Sequence, residues 1–127
     1  RAEVFLKDND NTKVSIHKFH NKKGVMVTSV GSPDGVSKIA DKVKLTVVAH
    51  LRFRDHHVYN QSDCNKINSA LKEKGGDYIL TTEKDIFKLC AVFEKNNILN
   101  LSSKTYSLPI RFVFQDKTLD EIWTQLR

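Results

Sequence analysis

A carboxylate followed directly by two imidazoles, Asp55-His56-His57, is the run of this 127-residue chain with the most chemistry in the fewest residues. At the end of a strand, such a run can supply a general base, an acceptor that orients one, or ligands to a metal ion. Adjacent side chains diverge, so at most one of the two histidines faces a cleft while the other packs or hydrogen-bonds locally. Taken alone, an Asp that satisfies turn amides beside two partly exposed histidines is the commoner arrangement. A second polar run, Thr81-Thr82-Glu83-Lys84-Asp85, opens a helix whose free amides could hold an anionic group or meet an opposing surface. Thr82 and Asp85 also have the spacing of a capping pair, which would leave Glu83 and Lys84 as outward first-turn residues.

The segments around these runs alternate strand with helix from Val25 onward, the rhythm of an α/β domain with a largely parallel sheet. Strand-like runs are Val25 to Val30, Leu45 to Ala49 continuing towards Phe53, Tyr78 to Thr81, and Ile110 to Phe114. Ser32-Pro33-Asp34 reads as a helix start, with an N-cap serine, a first-turn proline and an acid at the positive end of the dipole. The stripe Val36, Ile39, Ala40 and Val43 follows it. Asn60 and Asp63 have capping-box spacing before Cys64, Ile67, Ala70 and Leu71, and Gly75-Gly76 stops that helix. Thr82 and Asp85 precede Ile86, Leu89, Cys90 and Phe93; Thr118 and Glu121 precede Leu119, Ile122, Trp123 and Leu126. Residues 96–109 read as a long connection or one more strand near Ile98 to Leu101. Residues 1–23 differ: strand-like runs Ala2 to Lys7 and Lys13 to Phe19 flank Asp8-Asn9-Asp10-Asn11, which predicts a β-hairpin with few core residues, a linker ribbon.

These elements predict a three-layer α/β domain, a mainly parallel β-sheet flanked by helices over residues 24–127, preceded by the hairpin linker at 1–23. In a right-handed parallel sheet the loops leaving the strands emerge at one carboxyl edge. Gly31-Ser32, Asp55-His56-His57 and Thr82 to Asp85 should therefore share a rim. His17, His20 and His50 show no ligand spacing and read as structural or surface groups, and Trp123 reads as core.

An apolar share of 39% and a charged share of 28% suit a water-exposed globular domain, and no apolar run is long enough to span a bilayer. The first residues, Arg1-Ala2-Glu3-Val4, lack an initiator Met and a signal pattern, which suggests an internal piece of a longer polypeptide. Cys64 and Cys90 fall on apolar helix faces without ligand spacing and read as buried free thiols. The formal charge of +6 favours anionic partners, among them phosphorylated ligands and acidic lipid headgroups. The lysines are scattered and no aromatic-rich strand interleaves them, so nucleic acid is not the expected partner.

The run Phe53-Arg54-Asp55-His56-His57-Val58-Tyr59, then Asp63, then Leu80-Thr81-Thr82-Glu83-Lys84-Asp85 with Leu89, resembles the carboxyl-terminal signature of the tetraacyldisaccharide 4'-kinases. Gly31-Ser32-Pro33-Asp34 is similar to the family's strand-Gly-x-x-Pro element, and the likeness weakens through Leu108-Pro109-Ile110-Arg111-Phe112. The resemblance implies a kinase that transfers the ATP γ-phosphoryl to the 4'-hydroxyl of a tetraacylated disaccharide 1-phosphate, the lipid A precursor. It would work in the cytoplasm, peripheral on the inner membrane, where an anionic surface is a further partner. ATP and Mg would be bound mainly by an amino-terminal P-loop lobe of the same polypeptide. No Gly-x-x-x-x-Gly-Lys-Ser/Thr occurs among the five glycines here, so the fragment alone is expected to be inactive. The same resemblance assigns His56, supported by Asp55, to orienting an acidic base from the other lobe, with His57 the substitute. Thr82, Glu83, Lys84 and Asp85 would organise the interlobe cleft.

Two rivals come from other classes. In a DHH-type phosphoesterase, Asp55-His56-His57 would join Asp8 and Asp10 in a two-metal site that activates water. A non-enzymatic basic module would bind anionic lipid or nucleic acid through its lysines, with steep salt dependence.

Overall fold

The computed structural model describes residues 5–109. Its elements in order are β1 (Phe5–Lys7), β2 (Lys13–Ser15), a 3-10 helix (Ile16–Phe19), β3 (Lys23–Thr28), α1 (Pro33–Lys42), β4 (Thr46–Arg52), α2 (Gln61–Lys74), β5 (Tyr78–Thr82), α3 (Ile86–Lys95), α4 (Leu99–Ser102) and β6 (Thr105–Leu108). They build one six-stranded sheet in the order β2-β1-β6-β5-β3-β4. The pairs β3·β4, β3·β5 and β5·β6 are parallel, and the hairpin β1·β2 joins antiparallel through Lys7 opposite Ser107 of β6. The fold is thus the expected three-layer α/β arrangement.

Why the central strands read as continuous apolar runs is clear from their two buried faces. Met26 and Leu80 pack with Val36, Ile39 and Ala40 of α1 on one face. Val25, Val27 and Ile79 pack with Cys64, Ile67 and Leu71 of α2, and Leu89 and Phe93 of α3, on the other. Both cysteines are buried and free. Chain order reverses between β3 and β5: α1 leads from β3 to β4 on one side, while β5 returns to the opposite side of β3. In open α/β sheets, that reversal leaves a crevice at the carboxyl ends of the two strands.

Several expectations need correction. The second hairpin run is strand only over Lys13–Ser15; a 3-10 helix then turns Ile16 and Phe19 into the core, so the hairpin contributes Phe5, Leu6, Ile16 and Phe19 rather than few buried groups. Residues near Ile98 to Leu101 form the short helix α4, and the strand falls later, at Thr105–Leu108, where Thr105 and Tyr106 pair with Ile79 and Leu80. Ser32 stands at the N-cap of α1 without a side-chain capping bond, so Pro33 and Asp34 mark the start instead. The capping box Asn60/Asp63 forms in full, and Gly75 ends α2 with a left-handed φ of 65°. The strand expected at Ile110 to Phe114 and the helix expected after Thr118, with Trp123, lie outside the described residues.

Gly24 brings the backbone close to a large ring. A Cβ there would sit 2.8 Å from the Tyr78 ring, which is itself hemmed by Phe19 and Tyr106 at centroid distances of 4.8 and 6.1 Å. Gly24→Ala should therefore cost about 1–3 kcal/mol through overpacking, read as a lower urea midpoint at unchanged slope.

Candidate functional site

The three loops expected to share a rim do meet at the carboxyl ends of β3, β4 and β5, and a buried carboxylate fastens two of them. Asp85, fully buried, accepts from the Ser29 N–H at 2.9 Å, the Ser29 hydroxyl at 2.5 Å and the Thr82 hydroxyl at 3.0 Å. The Lys88 ammonium lies 3.5 Å from the oxygen that takes the Ser29 hydroxyl. The capping expectation is thus half met. The Asp85 N–H donates to the Thr82 hydroxyl at 3.1 Å, but α3 proper starts at Ile86, and the carboxylate turns away to Ser29. The reason is that Ser29, just past the end of β3, presents a buried N–H and hydroxyl that need an acceptor in the crevice.

Asp55, His56 and His57 leave β4 on a tight turn. The Phe53 N–H reaches the Thr28 carbonyl at 2.8 Å, the His56 N–H reaches the Ser29 carbonyl at 3.3 Å, and the His57 N–H returns to the Arg54 carbonyl at 2.9 Å. His56 has a φ of 62°, a left-handed conformation that costs a residue with a Cβ about 1–2 kcal/mol. Its imidazole is 79% exposed and stands 3.8 Å from Asp55. The two rings diverge as adjacency requires. His57 turns inward, 24% exposed, stacked on Phe53 at 4.7 Å and edge-on to Tyr59 at 5.2 Å. Its Nε2 lies 2.7 Å from Asp63, the capping-box acid of α2. A carboxylate is an acceptor, so Nε2 carries the proton of this bond.

The shorter partner of Asp55 is Lys84, at 3.0 Å, not His56. Lys84 also approaches the Ser29 carbonyl at 3.5 Å, so it bridges the loops after β3 and β4 from the start of α3. The Lys84 hydrogen bond, helped by the charges of Lys84 and His56, holds the Asp55 carboxyl below its ordinary value. Glu83 lies 3.9 Å from the buried Lys7 on β1, directed away from the Asp55 loop. Tyr59, buried beneath the loop, has its hydroxyl pushed up out of the titrating range by burial first, with Asp85 and Asp63 adding to it.

Ser29 and Lys88 escaped the sequence reading, and Tyr59 entered it only as the last residue of the signature run, with no role. Ser29 could have been found as a small polar residue ending an apolar strand, and Lys88 as the residue one turn after Asp85. A groove of about 410 Å³ runs beside these residues, lined by Val58, Tyr59, Asn60, Lys88, Val92 and Lys95 among others. Another, of about 470 Å³, lies between the edge strand β4 and α2, away from the rim.

The phosphoesterase reading fails on placement. Asp8 and Asp10 lie in the β1–β2 turn, where the Asp8 carboxylate accepts from the Asp10 and Thr12 amides at 2.9 Å. Asn9 in that turn bonds Ser102, just before β6, which puts the turn at the amino edge, opposite the rim. Among the described residues, no group of three His, Cys, Asp or Glu could hold a metal ion.

Comparison with known proteins agrees with the strand-end signature. A family model described as Tetraacyldisaccharide-1-P 4'-kinase matches residues 2–127. The chain belongs to this family. Among curated relatives, a tetraacyldisaccharide 4'-kinase of Bdellovibrio bacteriovorus is 36% identical over 78 residues, 61% of this chain and 23% of the relative. Those of Cytophaga hutchinsonii and Syntrophotalea carbinolica are 26% and 27% identical over 76% and 84% of this chain, and 27% and 28% of their own lengths. This member of the family therefore spans about a quarter of the relatives it matches. No solved structure matches it.

Two outcomes follow from the site of this 4'-kinase family member. Asp85→Ala removes the acceptor of three buried donors and leaves Lys88 without its counterion, so it should lower stability by about 2–4 kcal/mol in chemical denaturation. Lys84→Met should raise the titration of the Asp55 carboxyl towards the ordinary value of about 3.9, followed by carboxyl 13C shifts. Because the folded-state value is depressed, the contribution of this exposed pair is present above the unfolded value. It fades as pH falls through the folded one.

Proposed function

We propose that this chain works as the carboxyl-terminal lobe of a lipid A 4'-kinase. It would close over a cleft whose other wall, carrying ATP and Mg, belongs to an amino-terminal P-loop lobe, and present His56 to the acceptor hydroxyl. The observation that carries this reading is the display of His56: an exposed imidazole in a left-handed turn at the sheet's carboxyl edge, beside a carboxylate fixed by Lys84. The family match and the coverage of about a quarter of each relative support the assignment to one lobe.

The rim itself does not suit a nucleotide. The Ser29 N–H at the end of β3 already serves Asp85. Both nearby lysines are likewise engaged, Lys84 with Asp55 and Lys88 with Asp85. The lobe's contribution is then to the acceptor side. Phosphoryl transfer depends on placing the alcohol in line and on charge stabilisation, and the hydroxyl proton must leave as the bond forms. His56, held near Asp55, is suited to orient a carboxylate base brought by the partner lobe, while Asp55 tethers the loop through Lys84. His57, locked to Asp63, supports the turn and would substitute only if the loop were rebuilt. Lys84 shapes the cleft wall, and the buried Thr82 and Asp85 support it from beneath, while Glu83 turns to Lys7 instead. The enzyme would act on the tetraacyldisaccharide 1-phosphate at the inner face of the inner membrane. Among the described residues no helix is long and apolar enough to cross a membrane, which suits a peripheral position.

The test is a chimera in which this chain replaces the matching segment of the Bdellovibrio relative, assayed for γ-phosphoryl transfer to tetraacyldisaccharide 1-phosphate. The chimera should be active and the isolated chain inactive. His56→Asn, which tolerates the left-handed backbone, should lower kcat roughly 10²-fold, the scale of acid–base assistance, with little change in thermal midpoint. A folded but inactive chimera would sink the lobe assignment; full activity of His56→Asn would sink the role of His56.

A further inference from the structure

A left-handed residue bearing a side chain persists only where its surroundings over-determine it. Around His56 the tethers are unequal. The His56 N–H bond to Ser29 is long at 3.3 Å, and the Lys84–Asp55 pair is exposed and open to screening by salt. On the far side, His57 is held by Asp63 and the Arg54 carbonyl, and the half-buried Lys88 makes the tether from α3. Its ammonium donates to the His57 carbonyl at 3.2 Å and to the Ser29 hydroxyl oxygen at 3.4 Å, and lies 3.5 Å from Asp85. The three N–H donors of a lysine thus meet three acceptors, drawn from the loop after β4, the end of β3 and the start of α3. The Tyr59 ring closes the site 5.6 Å from the charge.

Were Lys88 simply the counterion of Asp85, its shortest contact would be that carboxylate, which already receives three hydrogen bonds from Ser29 and Thr82. The shortest contact is instead the carbonyl of the residue after His56. We propose that Lys88 is a positioning residue: by holding the His57 carbonyl, with Asp85 fixing its own charge, it keeps His56 in the left-handed conformation that points the imidazole out from the rim. The catalytic consequence rests on the role given to His56 above; the conformational part does not.

The experiment therefore has two arms. In the chain itself, the intraresidue amide-to-Hα nuclear Overhauser effect of His56 reads the sign of φ, because the two protons are closer when φ is positive. Lys88→Met should weaken this cross-peak roughly twofold or more as the turn relaxes to the ordinary negative region, while core amides of β5 keep their shifts. Lys88→Arg, which retains charge and donors, should restore most of it. If Lys88→Met does not fold, Asp85→Asn is combined with it to remove the stranded charge. An undiminished cross-peak in the folded variant overturns the proposal. In the chimera, Lys88→Met should lower kcat about 10-fold with the KM for ATP unchanged, the signature of an interaction lost at the acceptor side. A rise in KM for ATP with kcat unchanged would also overturn it. An inactive parent chimera would remove the lobe assignment yet leave the cross-peak result standing.

Discussion

The rim is organised around one buried carboxylate. Asp85 sits where the chain order reverses between β3 and β5, the place where an open α/β sheet leaves its carboxyl-edge crevice. Left empty, that crevice would strand the Ser29 N–H and hydroxyl in the interior, at a cost of about 1–3 kcal/mol for each unmet group. Asp85 satisfies both and takes the Thr82 hydroxyl as well, so the ends of the two central strands are tied through a single side chain. A buried negative charge in turn requires a cation, and Lys88 from the next turn of α3 provides it.

From that charge pair the geometry passes outward. Lys88 reaches the loop after β4, Lys84 reaches Asp55, and the Ser29 carbonyl accepts from His56. The loop bearing the two histidines is thus held from the α3 side, while Asp63 holds it from the α2 side through the His57 ring. Two helices that never touch the exposed imidazole decide where it points. This explains the division of labour between the adjacent histidines: one is absorbed into packing with Phe53 and Tyr59, and the other is left in solvent.

Much of the scaffold could be read from residue order. Apolar runs at Val25 to Val30 and Tyr78 to Thr81 announce strands buried on both faces, and Asn60 with Asp63, followed by Gly75, brackets α2 to within a residue. The misses are informative. Ile16 and Phe19 suit a strand by composition but are three apart, the spacing of a 3-10 turn that places both in one core cluster, with Phe19 against Tyr78 and Tyr106. Near Ile98 the apolar residues suit either period, and only the parallel pairing of Ile79 with Thr105 fixes the strand in the later position.

Residue order alone determined which groups lie at strand ends, and hence that Asp55, His56, His57 and the run Thr82 to Asp85 would come to one edge, because parallel strands joined by right-handed crossovers leave no other choice. The family signature is likewise a property of the linear order. Which histidine is displayed, and which partner Asp55 takes, was decided only in three dimensions. Ser29, whose carbonyl takes the His56 N–H, and Lys84, which takes Asp55, are 27 and 29 residues from those partners, and hydrogen bonds over such separations depend on how the layers stack rather than on local pattern. The same holds for Asp85, whose spacing from Thr82 fits a capping pair until the crevice offers it two unpaired donors.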